Sequence, residues 1–121
     1  MEIEKVCIYD KFSQFNDYWN PRIVGELNGQ HIKLVKFKGQ FTWHTHENED
    51  EMFFVVEGKF KMHFKERTVE LYKGDFIIVP KGVEHMPEAL EEVQIMLFEP
   101  ASTLNTGDKI NNFTKNVLEK L

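Results

Sequence analysis

Among its 121 residues this chain has one cysteine, Cys7. An intrachain disulfide is therefore excluded, and the composition fits a reducing cytosol. Basic charge is also scarce. Fifteen Lys and Arg against 20 Asp and Glu leave a net charge of −5, without the basic face that nucleic acid or an anionic membrane surface would require. The lysines alternate with acidic residues and read as solvated surface. No apolar run approaches the roughly 18 residues of a transmembrane helix, and the opening Met-Glu-Ile-Glu-Lys lacks a signal-peptide pattern. The expectation is a soluble, cytoplasmic protein with neither nucleic acid nor membrane as a partner. Internal repeats, linkers and low-complexity tracts are missing as well. With 41% hydrophobic residues, a chain of this length makes one domain, 1–121, around one core.

What is present reads mainly as short strands. Residues 3–8 form a weak strand pattern, and 11–19 place Phe12, Phe15 and Trp19 at the spacing of a short amphipathic helix that Asn20-Pro21 stops. Ile23 to Leu27 and His31 to Lys38 are strands joined by Asn28-Gly29, a strong hairpin signal. From Lys59 onward Phe60, Met62 and Phe64 alternate with polar residues, and Val69 and Leu71 follow a turn near Glu66-Arg67. Phe76 to Val79 and Val93 to Phe98 complete the set. Many short strands with turn signals and no βαβ rhythm indicate an all-β sandwich or barrel. Past Glu99-Pro100 a polar, turn-rich stretch leads into Ile110, Phe113, Val117, Leu118 and Leu121, spaced as one face of an amphipathic C-terminal helix.

Chemistry concentrates between Gly39 and Gly58. Side chains two apart on a strand leave the same face about 7 Å apart, so His44 and His46 can reach one ion if their segment is extended. The polar stretch Glu47 to Asp50 reads as a turn that brings Glu51 back on the next strand. Downstream, Gly74, Pro80 and Gly82 bound a strand and turn that deliver His85. A lone His-x-His pair is common on surface strands, but Glu51 and His85 in these places make it a ligand set. Three imidazoles and a carboxylate suit one divalent ion of Mn, Fe, Ni, Cu or Zn, and disfavour Ca. His31 and His63 match no motif and read as surface residues.

The two segments resemble the paired motifs of the cupin superfamily. The first runs Gly39, four residues, His44-x-His46, four residues, Glu51, six residues, Gly58; its first spacer is one residue shorter than the family's. The second runs Gly74, Pro80-x-Gly82, His85, with Ala89 where the family carries an Asn that is usually not a ligand. Fifteen residues between Gly58 and Gly74 give the short separation of small single-domain members. The resemblance spans residues 25 to 100 or so. It implies a jelly-roll β-barrel or sandwich of antiparallel strands over about 22–100, with a tail and helix over 101–121. It also implies a divalent metal on His44, His46, Glu51 and His85, and dioxygenase- or isomerase-like chemistry on a small organic molecule. Thr103 to Gly107 is similar to a tail found in certain small prokaryotic cupins.

Three functional readings follow: a metal-dependent enzyme, a non-catalytic small-molecule binding or sensing module using the same cavity, and a structural metal site. The last is weakest, since a tetrahedral ion would be saturated by four protein ligands at a cavity mouth. Strand parity places Phe53, Met62, Phe76 or Ile78, and Met96 on the cavity wall, with Gln94 as a polar contact. Lys36 is a basic group on the metal face only if no bulge precedes His44. A small, moderately apolar substrate is therefore expected ahead of a phosphosugar. No catalytic residue beyond the ligands is singled out. The same parity sends Phe37, Phe41 and Trp43 outward, so a homodimer through that face is expected.

Overall fold

Where the sequence shows period-two alternation, the chain is strand. The computed structural model describes residues 3–121. It has one short helix, α1 (Ile8–Phe12), and seven strands: β1 (Arg22–Leu27), β2 (Gln30–Gln40), β3 (Glu51–Glu57), β4 (Lys59–Phe64), β5 (Thr68–Tyr72), β6 (Phe76–Val79) and β7 (His85–Pro100). Strands β1-β2-β7-β3-β6 lie in that order, and β4 pairs with both β5 and β7. All strand pairs are antiparallel. The 16-residue β7 lies along β4 from His85 to Glu88, then along β2 and β3, so one strand belongs to both walls of a jelly roll. Asn28 and Gly29 both take positive φ, 50° and 76°, as the tight β1–β2 turn demands.

The inner faces follow the pleat. Val35 and Phe37 of β2, Phe53 and Val55 of β3, Phe60 and Met62 of β4, and Val93, Ile95 and Leu97 of β7 are buried in one cluster closed by Trp19. Each such side chain contributes on the order of 1.5–3 kcal/mol by leaving water. A second cluster on the far side of β2 joins Phe12 and Phe15 to Leu34 and Val56.

Several expectations are corrected. Residues 3–7 form no strand and are exposed. The helix expected over 11–19 is confined to Ile8–Phe12; the spacing found the buried residues Phe12, Phe15 and Trp19 but not their conformation. Beyond α1, partners on β2 satisfy the backbone in place of helical bonds: Trp19 N donates to Lys36 O at 2.9 Å, and Lys36 Nζ donates to Phe15 O at 2.6 Å. The C-terminal helix is absent too. Residues 101–121 run in turns, and Ile110 and Val117 of the supposed stripe are 77% and 89% exposed. Asn and Thr side chains take over the backbone there. Asn105 Nδ2 donates to Phe113 O, Lys115 N donates to Asn105 Oδ1, each at 2.9 Å, and Thr106 Oγ1 donates to Lys109 O at 2.6 Å. The chain end instead edges β1, with Leu121 N donating to Ile23 O and Ile23 N to Glu119 O, each at 2.9 Å.

The outward face read from Phe37, Phe41 and Trp43 does not form. A bulge between Phe37 and Gly39 shifts the register. Phe37 lies in the core, Phe41 stacks on Trp19 with ring centroids 4.7 Å apart, and Trp43 lies under the Lys65 ammonium. No helix among the described residues is long and apolar enough to cross a membrane.

Candidate metal centre

His44 and His46 lie on an extended segment after β2, with a single bridge at His44 in place of a continuous strand. Glu51 opens β3 and His85 opens β7. Gly82 N donates to His46 O at 2.8 Å and Lys81 N to Asp50 Oδ1 at 2.8 Å, which binds the turn before His85 to the loop between the other ligands. One ligand atom from each of His44, His46, Glu51 and His85 falls within 4.8 Å of the rest. All four side chains are buried.

Hydrogen bonds set the imidazole tautomers. His44 Nδ1 lies 2.8 Å from Thr42 O, and His85 Nδ1 lies 2.9 Å from Val83 O. A carbonyl only accepts, so each Nδ1 carries the proton and each Nε2 keeps its lone pair. His46 Nε2 approaches Glu51 Oε1 to 3.1 Å, and His85 Nε2 approaches it to 3.7 Å. Yet both imidazole atoms, His46 Nδ1 and Glu51 Oε1 are buried without a hydrogen-bond partner. Orphaned polar atoms at this depth are costly. A cation among them would receive lone pairs from every side, so the residues fit a metal.

Electrostatics agree with this arrangement. Burial, then the nearby His85, pushes the His44 imidazole down to about 4, so it stays neutral. Burial lowers His46 as well, but the Glu51 carboxylate outweighs it and raises the imidazole. For Glu51, burial acts upward, and contacts with His46, His85 and Glu99 outweigh it, holding the carboxyl well below the usual range.

The structure brings the four ligands together, but among the remaining candidates for the pocket only Phe53 lines the cavity beside them. Its other walls include Trp19, Val35, Phe37, Phe41 and Leu97, with His44, Glu51, Glu99 and Asn105 as polar groups. The free volume is about 30 Å³, room for a water or two. Met62 is fully buried in the core instead. Lys36 is on the far face of β2, beneath the N-terminal segment, because of the bulge after Phe37. Glu51 pairs with Val79 and Met52 with Phe98, so odd-numbered residues of β6 and β7 face inward; Phe76, Ile78, Gln94 and Met96 face outward. Sequence reasoning missed Lys33, Glu99 and Trp19. A parity signal existed for the first two, since Lys33 precedes Val35 and Phe37, and Glu99 follows Ile95 and Leu97, each at intervals of two. His63 is outside the site, held between Thr68 at 2.8 Å and Glu88 at 2.7 Å.

A jelly roll with three histidines and a glutamate at the mouth of its cavity defines a class, and comparison supplies the family: the cupin domain matches residues 33–99, and the chain belongs to that family. A crystal structure of a cupin-2 domain protein from Shewanella frigidimarina is 45% identical, covers 78% of this chain and 93% of its own, and superposes with a TM-score of 0.78. YdbB of Bacillus subtilis is 36% identical over 51% of this chain. The chain spans a little over half the length of the curated relatives it matches, 56% for YdbB. The hydroquinone 1,2-dioxygenase PnpCD, solved with Cd2+ and 4-hydroxybenzonitrile, shares the fold at 17% identity, TM-score 0.65, over 76% of this chain and 70% of its own.

Proposed function

We propose that this cupin is a metal-dependent enzyme that acts on a small, weakly polar organic molecule, with one divalent transition-metal ion held by His44, His46, Glu51 and His85. The observation that carries this reading is the convergence of four buried donors, with orphaned lone pairs, on the edge of an aromatic cavity. When bound, the ion would act as a Lewis acid that polarises a substrate oxygen or a water. The chain's own residues do the rest. Trp19, Phe37 and Phe41 offer flat apolar walls, with Trp19 stacked on the other two at 4.4 and 4.7 Å. Closure by these rings leaves room for no more than a water or two and strengthens electrostatics inside. Phe113 meets Phe41 at 5.1 Å and covers the rings from outside. Entry of a substrate larger than the present cavity requires this cover to shift.

The charge inventory narrows the substrate. Glu51 and Glu99 face the cavity, and the nearby ammonium of Lys33 is already paired with Glu99. Apart from the ion itself, a phosphosugar or dicarboxylate would meet carboxylates and no unpaired cationic side chain, whereas a phenol or another neutral ring would meet aromatic walls. PnpCD, alike in fold, is named for a hydroquinone and was solved in complex with Cd2+ and 4-hydroxybenzonitrile. The test is metal analysis of protein purified without a histidine tag. The metal-loaded protein is then incubated with a panel of phenols, neutral carbonyl compounds and phosphosugars, and products are analysed. Turnover of a neutral compound supports the reading. Binding without product would favour a sensing module, and absence of metal at saturating supply would remove the site.

A further inference from the structure

Behind Glu51 lie two charged side chains that metal binding alone leaves without a task. Lys33 of β2 and Glu99 of β7 are 1% and 2% exposed, and Lys33 Nζ donates to Glu99 Oε1 at 2.8 Å. Strand register sets them in a row with the ligand. Lys33 pairs with Leu97, which puts it diagonal to Glu99, and Met52 pairs with Phe98, which puts Glu51 beside Glu99. Glu99 Oε2 has no hydrogen-bond partner, and register sets Glu99 opposite Glu51 on the same inward face, where both line the cavity. The order inward is therefore Lys33, Glu99, Glu51, ion site.

A buried ion pair is a poor stabiliser, because desolvation cancels most of its attraction and apolar side chains of the same volume do as well or better. The effect of this pair has to be sought in what Glu99 touches. A ligating carboxylate on a flexible side chain needs a fixed partner to hold its rotamer, and such partners govern metal affinity. We propose that Glu99, anchored by Lys33, is a positioning residue that fixes the Glu51 carboxylate toward the ion. This inference rests on the metal reading of the four ligands. A glutamine at 99 keeps the shape of the side chain: its carbonyl can still accept from Lys33 while its N–H turns toward the Glu51 carboxylate.

The test compares untagged wild type, Glu99→Gln and the double variant Lys33→Met/Glu99→Met, which fills the space with apolar atoms. Co2+ affinity is measured by competition with a chelator, the Co2+ ligand-field spectrum is recorded, and thermal unfolding of each metal-free protein reports on the fold. Glu99→Gln is expected to stay within about threefold of wild type with an unchanged spectrum. The double variant is expected to bind about 10–100-fold more weakly with an altered spectrum, while its metal-free melting matches wild type. Wild-type affinity in the double variant overturns the proposal, and so does an equal loss in both, which would indicate space filling. If the double variant does not fold, Glu99→Asp replaces it: the shorter side chain withdraws from Glu51 and should lose the same affinity, and wild-type binding there overturns the proposal. A wild type that takes up no Co2+ defeats the metal reading itself, and this inference with it.

Discussion

His44 and His85 hold each other by the backbone in both directions, His44 N donating to His85 O and His85 N to His44 O, each at 3.0 Å. The two motifs are thus joined at the ligands themselves, through atoms that no side-chain substitution removes. Replacing one imidazole should empty the site without separating its halves. His46→Ala is expected to lower metal content at least about tenfold while the metal-free protein keeps its β-rich circular dichroism. Full occupancy in that variant, measured by elemental analysis, would refute the ligand assignment.

Acid should weaken the metal-free protein in a defined window. Folded His44 titrates at about 4, against 6.5 for a free imidazole. The unfolded chain therefore binds the extra proton first, and stability present above 6.5 is lost progressively as pH falls toward 4. The full effect is on the order of 3 kcal/mol. His46 is shifted upward, so its contribution is complete below 6.5 and is lost only on the alkaline side. The expected profile has its maximum near neutrality with a fall on the acid side, read from urea titrations at several pH values. A flat profile between pH 6.5 and 4.5 would contradict it. Bound metal should steepen the acid loss, since each imidazole ligates only as the neutral base.

Gly107 presses against the metal loop. It has φ 57°, and a Cβ there would collide with the Thr45 carbonyl. Beside it, Asp108 N donates to Thr45 O at 3.0 Å and Thr45 N donates to Asp108 Oδ1 at 2.9 Å. Gly107→Ala should cost on the order of 1–3 kcal/mol and weaken metal binding, because Thr45 lies between two ligands. Wild-type urea midpoints for both metal-free and loaded forms would show that this contact does not hold the loop.

A second copy of the chain is expected to cover the outer face of β3 and β6. By register Ile78, Met52 and Phe98 form one apolar row and Phe76, Phe54 and Met96 the next, with Phe76 and Ile78 62% and 55% exposed. Such a face on a small domain marks an interface. Light scattering at micromolar concentration should give a dimer for wild type and a monomer for Phe76→Glu. A monomeric wild type would sink the expectation.

Most strands from residue 22 onward, the hairpins and the four residues that converge on the candidate metal centre were legible in the sequence, because period-two alternation and gapped spacing are local signals. The wrong pocket residues trace to pairing between distant strands. Nothing near Gln94 or Met96 tells which side of β7 meets Glu51, and the bulge after Phe37 that reverses Lys36 is marked only by Gly39, at φ 83°. The N-terminal helix is shorter and earlier than its spacing suggested and the C-terminal one is absent, for one reason. Phe15 and Trp19 are buried and Phe113 partly buried with the spacing of a helix, but Lys36 O, Asn105 and Thr106 supply the hydrogen bonds that a helix would otherwise make.

The cover of the cavity comes from both ends of the described chain, Trp19 before β1 and Phe113 after β7, and the last residues are fastened to β1 beside Ile23. Access to the cavity is thereby placed in the hands of the two peripheral segments. A purification tag or fused domain appended after Leu121 would load the segment that is hydrogen-bonded to β1, so ligand-binding rates measured on tagged and untagged protein should differ even where their equilibrium metal content is the same.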